Sequence, residues 1–337
     1  MKIIFADHEC HLRTHSADFF LEIIQDGNIV KPIYYKSAYD CKISAADIEW
    51  ADLIIFWEFL PSRFSIGCVG KPCLFVPMYD NEWGSVFQWR RIALSGMGVL
   101  SFCDAISAHA AKCGVKNLLT VHFALDPRNY AGHSGDPAVA TLWERGNVSL
   151  DTLKRLFPKG ALKRTVLIRR NDGGTAPMPI PESDVKDWNI DVHEGGFVPK
   201  RESMELTKDC GIYIAPRFAE GIGMSFLEAM AAGKCVVAHN NARMNEYIEN
   251  GKTGILVDMR NPAPIDIEDV ARIQGNMQEA AQCLYSRWLR EKDGIPGFLK
   301  RIASGRGVKS EISIHGILLF ALYLAEGAIM RMKEKFS

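Results

Sequence analysis

Short apolar segments alternate with amphipathic segments along most of the chain, and this alternation restricts the possible fold more than any other sequence feature. In the first part, strands are predicted at 2–6, 29–35, 52–57, 73–77, 98–102 and 118–122, with the clearest helices at 17–25 and 83–95. Strands that are apolar on both faces and separated by helices are typical of a parallel sheet covered by helices on both sides.

The same pattern starts again after a polar segment, 127–137, which contains two Pro and two Gly and is predicted to be a linker. Strands are then predicted at 138–143, 165–169, 190–193, 211–216 and 235–239. Helices are predicted at 149–157, 201–209, 225–232, 243–250, 265–290 and 310–335, with a stretch broken by Gly and Pro between the last two.

A length of 337 residues also suits two domains. We therefore predict an α/β protein with two doubly wound, Rossmann-like domains, at residues 1–130 and 138–310. The ligand is expected in a cleft between them, at the carboxyl ends of the strands. A C-terminal helix at 311–337 is expected to cross back and pack on the first domain.

Charge and cysteine content exclude several other classes of protein. The 40 Lys and Arg balance the 40 Asp and Glu, which argues against nucleic acid as the main ligand. The nine cysteines include no Cys-x-x-Cys pair, which indicates reduced thiols. The N-terminal apolar run stops after four residues, and the longest apolar run, 316–325, is too short to cross a bilayer. We therefore expect a cytoplasmic protein.

The C-terminal part of the chain is basic. Residues 285–337 contain ten Lys and Arg against five Asp and Glu. A helix that buries one face against the first domain is the favoured interpretation. The alternative is a weak peripheral contact with anionic lipid at the inner membrane face, which would suit an enzyme with a lipid-linked acceptor.

One segment, 215–233, combines a strand end, a glycine-containing loop and the start of a helix. Glu220 stands in the loop, Gly221 and Gly223 follow it, and the next helix carries Glu228 in its first turns. Glycines let the backbone approach a ligand closely, and the amide groups at a helix N-terminus favour a phosphate. The two carboxylates can therefore reach one polyhydroxylated ligand, although a solvated helix residue and a loop charge are the plain alternative.

This segment resembles the signature of the retaining glycosyltransferases with the GT-B fold, in particular their large group 1, family 4 class. The signature is a Glu, seven residues and a second Glu, followed by Ala-Met-Ala-x-Gly and a buried strand. Here Glu220 and Glu228 are followed by Ala-Met-Ala-Ala-Gly at 229–233, and the resemblance covers about residues 189–258. It implies transfer of a hexose from a nucleotide-diphosphate sugar to an acceptor, such as a polysaccharide or lipid-linked precursor, with retention of configuration.

The resemblance also implies roles for single residues. Glu220 would contact hydroxyls of the donor sugar near the reacting carbon, and Glu228 would accept hydrogen bonds from the ribose. Arg145 would face the diphosphate, and either Arg169 or Arg170 would add a second charge. No metal or other cofactor is expected, since cations and amide dipoles can stabilise the leaving diphosphate. The remaining donor-binding positions are the backbone of Gly221, Ile222, Gly223, Met224 and Ser225, and the segment Gly196, Phe197 and Val198 around the base.

The first domain resembles the family less closely. In place of a Gly-rich loop it has the segment 7–15, whose three His and one Cys match no zinc spacing. We expect His8 and His11 to form a polar lip over the acceptor or the phosphates, with a locally hydrogen-bonded loop as the alternative. Tyr79 and Asp80 stand where the family commonly has His-Asp, and both are further candidates for the acceptor side.

Other kinds of protein stay open at this point. The segment from Gly221 to Phe226 follows a strand as in a dinucleotide-binding enzyme, but Phe replaces the third glycine. A non-catalytic sugar-nucleotide-binding protein or a sugar-nucleotide epimerase with the GT-B fold would carry similar domains. The spacing of Glu220 and Glu228 favours the transferases, and an assay of donor hydrolysis or transfer separates them from a non-catalytic binder.

Overall fold

A computed structural model of the chain describes residues 1–37, 41–60, 70–81, 86–145, 147–169, 179–195 and 200–305. The chain divides into two compact units. The first comprises Met1–Val121 together with the chain from Arg290 onward, and the second comprises His122–Leu289. No helix within the described ranges is both long enough and apolar enough to span a membrane.

The first unit contains a six-stranded sheet whose neighbouring strands are all parallel. Its order is β2-β1-β3-β4-β5-β6, which confirms the parallel sheet predicted for this half. The central strands are buried because helices cover both faces of such a sheet. The strands are β1 (Lys2–His8), β2 (Ile29–Tyr35), β3 (Leu53–Glu58), β4 (Cys73–Pro77), β5 (Gly98–Ser101) and β6 (Leu118–Thr120).

Aromatic side chains form much of the core on one side of this sheet. The ring of Trp57 lies 5.0 Å from that of Phe20, 5.8 Å from that of Phe5 and 5.9 Å from that of Phe102, measured between centroids. Such pairs add to the stabilisation that comes from burying the rings. The helices of this part are α1 (His11–Thr14), α2 (Asp18–Gln25), α3 (Ala45–Trp50), α4 (Val86–Ser95) and α5 (Asp104–Lys112).

The second unit contains another six-stranded parallel sheet, with the order β12-β11-β10-β7-β8-β9. Its strands are β7 (Asp136–Glu144), β8 (Arg164–Arg169), β9 (Ile190–Glu194), β10 (Cys210–Ile214), β11 (Cys235–His239) and β12 (Ile255–Val257). Its helices are α6 (Leu150–Leu156), α7 (Glu182–Asp187), α8 (Lys200–Thr207), α9 (Met224–Ala231) and α10 (Ile267–Lys292). The second parallel sheet is therefore also present as predicted.

Two local predictions are wrong. The helix expected at 243–250 is only a 3₁₀ turn, Met244–Glu246, and Arg243 precedes this turn with a φ of +73°, which lies outside the helical region. The stretch expected to be broken by Gly and Pro contains a helix, α11 (Gly294–Ala303). Pro296 lies in its first turn, where a missing N–H costs no intrahelical hydrogen bond. The segment expected as a linker holds a 3₁₀ turn, Pro127–Tyr130, and the start of β7.

Helix α11 returns the chain to the first sheet. It packs against β3, β4 and α2, all of which belong to the same unit. Its buried side chains recur at helical spacing and form one apolar face: Ile295, Phe298, Leu299 and Ile302. The helix expected at 311–337, with its basic residues, lies outside the described residues.

We predict that Gly211→Ala destabilises the second unit, because β10 approaches β7 too closely for a side chain. A Cβ at Gly211 would lie 2.3 Å from the carbonyl oxygen of Asp136, a backbone atom of β7. The expected loss is roughly 2 kcal/mol or more in the free energy of unfolding by urea. The matched control is Gly275→Ala within α10, where a Cβ meets nothing within 4 Å and a gain of about 0.5–1 kcal/mol is expected. Equal stability of the two variants would contradict the prediction.

Candidate nucleotide-binding site

The order of the second sheet places a crevice outside the carboxyl ends of β7 and β10. These two strands are neighbours in the sheet but not consecutive in the chain. Chain connections from such strands run to opposite faces of the sheet, so the loops that follow them leave room for a ligand. The loop after β7 carries Arg145, and the loop after β10 carries Glu220 and Gly221. The sheet thus brings predicted site residues from two distant parts of the sequence to one edge.

The loop after β10 depends on Gly223. This residue has a φ of +71° and caps the N-terminus of α9. A Cβ at this position would also lie 3.3 Å from the Cβ of Glu220. Both the left-handed backbone conformation and the close approach of Glu220 therefore favour glycine here. The loop from Gly221 to Gly223 is buried, and Met224 and Ser225 begin the helix half-buried. The first amide groups of α9 have no acceptor within the helix, so they can bind an anion.

Tyr213 shows that the predicted charged residues converge. Its hydroxyl, at the buried end of β10, donates a hydrogen bond of 2.8 Å to Ser225 Oγ. Burial raises the pKa of Tyr213 well above its ordinary value, and the negative charges of Glu220 and Glu228 act in the same direction. The hydrogen bond to Ser225 and the positive charge of Arg145 act against them. Both carboxylates and Arg145 therefore lie close enough to one phenol to influence it.

Lys200 pairs with Glu228, a contact that the sequence does not predict. Its ammonium lies 2.8 Å from Glu228 Oε1 and 5.5 Å from the centre of the Tyr130 ring. Burial alone would lower the pKa of Lys200, but the ion pair with Glu228 outweighs it and raises the pKa. Lys200 begins α8, far from Glu228 in sequence, so no local sequence pattern predicts that the two residues pair.

The two described arginines predicted on the diphosphate have different surroundings. The Arg145 guanidinium lies 4.8 Å from the centre of the Trp143 ring, at a half-buried position. Arg169 is buried, and its Nε donates a hydrogen bond of 2.6 Å to Glu144 Oε2, so this side chain joins β8 to β7. A role for Arg169 on a diphosphate stays a prediction. Arg170, Gly196, Phe197 and Val198 lie outside the described residues.

Arg243 also makes contacts that the sequence does not predict. Its guanidinium is completely buried and donates hydrogen bonds to the carbonyl oxygens of Gly221 and Ile222. Arg243 is predicted at the start of a helix, and that position does not suggest contact with the glycine loop. Only the folded structure shows that this buried arginine contacts the loop predicted to bind the donor.

In the first unit, a polar cluster lies at the corresponding place, outside the carboxyl ends of the neighbouring strands β1 and β3. His11 Nδ1 is 2.6 Å from Asp7 Oδ1, and His11 Nε2 is 3.4 Å from Glu58 Oε2. Asn81 Nδ2 donates a hydrogen bond to the other oxygen of Glu58. Of the four residues predicted on the acceptor side, His11 is a member of this cluster.

The other three residues predicted on the acceptor side are Asp80, Tyr79 and His8, and they differ in how they relate to this cluster. The exposed Asp80 lies near enough to add its charge to the burial that raises the pKa of Glu58. Tyr79 is half-buried beside it. His8 instead belongs to a local loop, because its Nδ1 accepts the Cys10 N–H at 3.1 Å and its Nε2 is 2.6 Å from the carbonyl oxygen of Lys36.

These two sheets, each with charged residues at the strands where the connections reverse, define a doubly wound α/β protein. Residues 186–269 match the family model described as "Glycosyl transferases group 1". The matched stretch is about a quarter of the chain, and it includes Glu220, Glu228, Lys200 and Arg243.

The chain is similar to one curated relative and to solved structures. It is 39% identical over 92 residues to the D-inositol 3-phosphate glycosyltransferase of Paenarthrobacter aurescens. That match spans 24% of this chain and only 22% of the relative. HepE of Anabaena in complex with UDP is 16% identical, with a TM-score of 0.62 over 89% of this chain and all of HepE. The sucrose-phosphate synthase of Thermosynechococcus elongatus is 13% identical, with a TM-score of 0.57 over 90% of this chain and all of the synthase. The fold is therefore GT-B, with two Rossmann-like parallel-sheet domains and a C-terminal helix.

We predict a pH-dependent contribution of His11 to stability. Burial alone would lower its pKa, but the interactions with Asp7 and Cys10 raise the pKa to about 10. Because the pKa is raised on folding, this contribution is fully present below the ordinary value of 6.5 and is lost as the pH rises through about 10. His11→Asn should therefore be less stable than the unaltered protein by roughly 2–4 kcal/mol at low pH, with little difference at high pH.

The measurement is urea unfolding at several pH values between these limits. His15→Asn is the matched control, because the His15 side chain is exposed and pairs with Asp18, which is also exposed. A destabilisation by His11→Asn that stays constant from low to high pH would contradict the assignment.

Proposed function

We propose that this protein is a glycosyltransferase that moves a hexose from a nucleotide-diphosphate sugar to a hydroxyl of an acceptor, with retention of the anomeric configuration. The observation that carries the proposal is the strand order of the second sheet, which brings Arg145 after β7 and Glu220 after β10 to one strand-end crevice. Glu220 and Glu228 also lie within residues 186–269, which match the group 1 family model. The UDP bound to HepE supports a nucleoside diphosphate as the leaving group.

The geometry suits the charge changes of this reaction. Breaking the bond between sugar and phosphate leaves negative charge on the diphosphate and positive charge on the sugar ring. Arg145 and the amide groups at the start of α9 can stabilise the diphosphate, while the half-buried Glu220 carboxylate suits the sugar. Glu228, held by Lys200, suits the ribose hydroxyls as a hydrogen-bond acceptor. No described residue needs a metal ion for these roles.

The cluster of Asp7, His11 and Glu58 is our candidate for the acceptor side. Its members accept and donate hydrogen bonds at a strand-end crevice of the first sheet, which suits a hydroxylated compound. The names of the similar proteins include an inositol phosphate and a sucrose phosphate, which supports a polyhydroxylated acceptor. A lipid-linked acceptor, with weak contact of the basic C-terminal segment to anionic lipid, is part of the same proposal.

The experiment that tests the proposal starts from the unaltered protein. Nucleotide sugars with different bases and hexoses are screened by thermal shift, and a ligand at 100 times its Kd is expected to add about 2.7 kcal/mol. The donor found is then incubated with candidate acceptors, and the anomeric configuration of the product is determined by NMR. We expect an α-linked donor to give an α-linked product. A β-linked product would refute retention, and binding without turnover would indicate a non-catalytic binder.

We predict that the two glutamates separate turnover from binding. Glu220→Gln should lower kcat by about 100-fold or more, with little change in the Kd of the nucleoside diphosphate, because it acts on the reacting sugar. Glu228→Gln should weaken nucleotide binding by about 1.5–3 kcal/mol through lost hydrogen bonds to the ribose. Titration calorimetry and steady-state rates measure the two effects.

Glu249→Gln is the matched control for both variants. Glu249 lies in the same unit, is about two-thirds exposed and pairs with Lys252 at the surface. It should change neither kcat nor binding. A Glu220→Gln variant with unaltered turnover would overturn the assignment of this residue to the reacting sugar.

A further inference from the structure

Arg243 has a backbone conformation that is unfavourable for any residue with a side chain. Its φ is +73° and its ψ is −58°, and only four non-glycine residues in the described part of the chain have a positive φ. Such a conformation is energetically unfavourable, so the surroundings must hold it in place. Glycine would avoid this cost, and the presence of arginine therefore indicates a use for the side chain.

The Arg243 side chain is buried to the full extent and directed at the loop after β10. Its Nε lies 3.1 Å from the carbonyl oxygen of Gly221, and its Nη2 lies 2.9 Å from that of Ile222. The guanidinium also stacks on the ring of Tyr247, 4.2 Å from its centre. The Tyr247 hydroxyl in turn donates a hydrogen bond of 3.0 Å to the carbonyl oxygen of Phe123. Burying a cation is energetically costly, and these contacts offset that cost only when the guanidinium keeps this position.

The geometry of the peptide bond transmits this contact to the other side of the loop. Both peptide bonds are trans, so each carbonyl oxygen points opposite to the N–H group of the following residue. Since the carbonyls of Gly221 and Ile222 point at Arg243, the N–H groups of Ile222 and Gly223 point away from it. No acceptor among the described residues receives either of these two hydrogens. The buried arginine thus leaves two backbone donors oriented and available.

We propose that Arg243 is a positioning residue that turns the amide groups of Ile222 and Gly223 toward the anionic oxygens of the nucleoside diphosphate. Arg243 acts through the loop and does not itself touch the ligand. The inference rests on the proposed function, since it assigns a task to one part of the donor site. The conformation of the loop thus depends on the Arg243 side chain, which comes from the turn after β11, as well as on the glycines of the loop itself.

The test compares ligands with and without phosphates. UDP, GDP and ADP, and the corresponding nucleosides, are titrated against the unaltered protein, Arg243→Met and Arg243→Lys. We expect Arg243→Met to weaken diphosphate binding about tenfold or more, with less than threefold change for the nucleoside, because only the phosphates use the two amides. The diphosphate affinity of Arg243→Lys should lie between those of the unaltered protein and Arg243→Met, since lysine keeps the positive charge but lacks the planar set of donors.

A matched control comes from the same unit. Arg272 also donates to a backbone carbonyl, that of Gly251 at 2.8 Å, but it is exposed on α10. Arg272→Met should leave both titrations unchanged. If Arg243→Met does not fold, Arg243→Gly removes the backbone strain together with the side chain. Ethylguanidinium at millimolar concentration should then restore part of its diphosphate affinity and have no such effect on the unaltered protein.

The outcomes separate this inference from the proposed function. An unaltered protein that binds none of the three diphosphates would refute the proposed function and this inference with it. Diphosphate binding by the unaltered protein, with equal losses for diphosphate and nucleoside in the Arg243 variants, would leave the function standing. It would show that Arg243 only stabilises the unit, and so overturn the positioning role.

Discussion

The reversal of strand order in each parallel sheet is the constraint on which the rest of the structure depends. A parallel strand is reached only by a crossover, and two adjacent strands whose crossovers run to opposite faces leave a crevice at their carboxyl ends. This happens between β1 and β3 in the first sheet and between β7 and β10 in the second. The charged clusters of both units lie at these places. The strand order of each sheet therefore determines where its candidate site lies.

Burial of the strand ends then determines the local chemistry. Because β10 is buried on both faces, the hydroxyl of Tyr213 must find a partner inside the protein, and it finds Ser225 at the start of α9. That contact ties the strand end to the helix start. The loop between them must turn within a few residues, which the left-handed conformation of Gly223 permits. The position of Glu220 follows from this short connection.

The parts of the site that were predictable from sequence are those whose signals are local. Strand, loop glycines and helix start follow one another around Glu220, and buried strands are recognisable as apolar runs. The contacts of Lys200 with Glu228 and of Arg243 with Gly221 join residues from different elements, so no periodicity indicates them. The helix predicted at 243–250 is likewise absent, since only Met244–Glu246 form a 3₁₀ turn and the Arg243 side chain instead contacts the loop after β10. Conversely, α11 forms despite its glycines because its apolar face packs on the first sheet.

The two crevices differ in what they leave unsatisfied, and this difference suits two kinds of ligand. In the first unit, His11 lies between the carboxylates of Asp7 and Glu58 and offsets part of their negative charge, and Asn81 donates a hydrogen bond to Glu58. Asp7 Oδ2 is buried and accepts no hydrogen bond from the described residues. Such a cluster suits a neutral, hydroxylated group that exchanges hydrogen bonds with it. In the second unit, cationic side chains approach the loop and its backbone donors stay without a described acceptor, which suits an anion. The reaction we propose breaks the bond between a sugar and an anionic diphosphate and bonds the sugar to the hydroxyl of a neutral acceptor. This transfer would use such a division, and each half of it follows from the side chains that the strand order brings together.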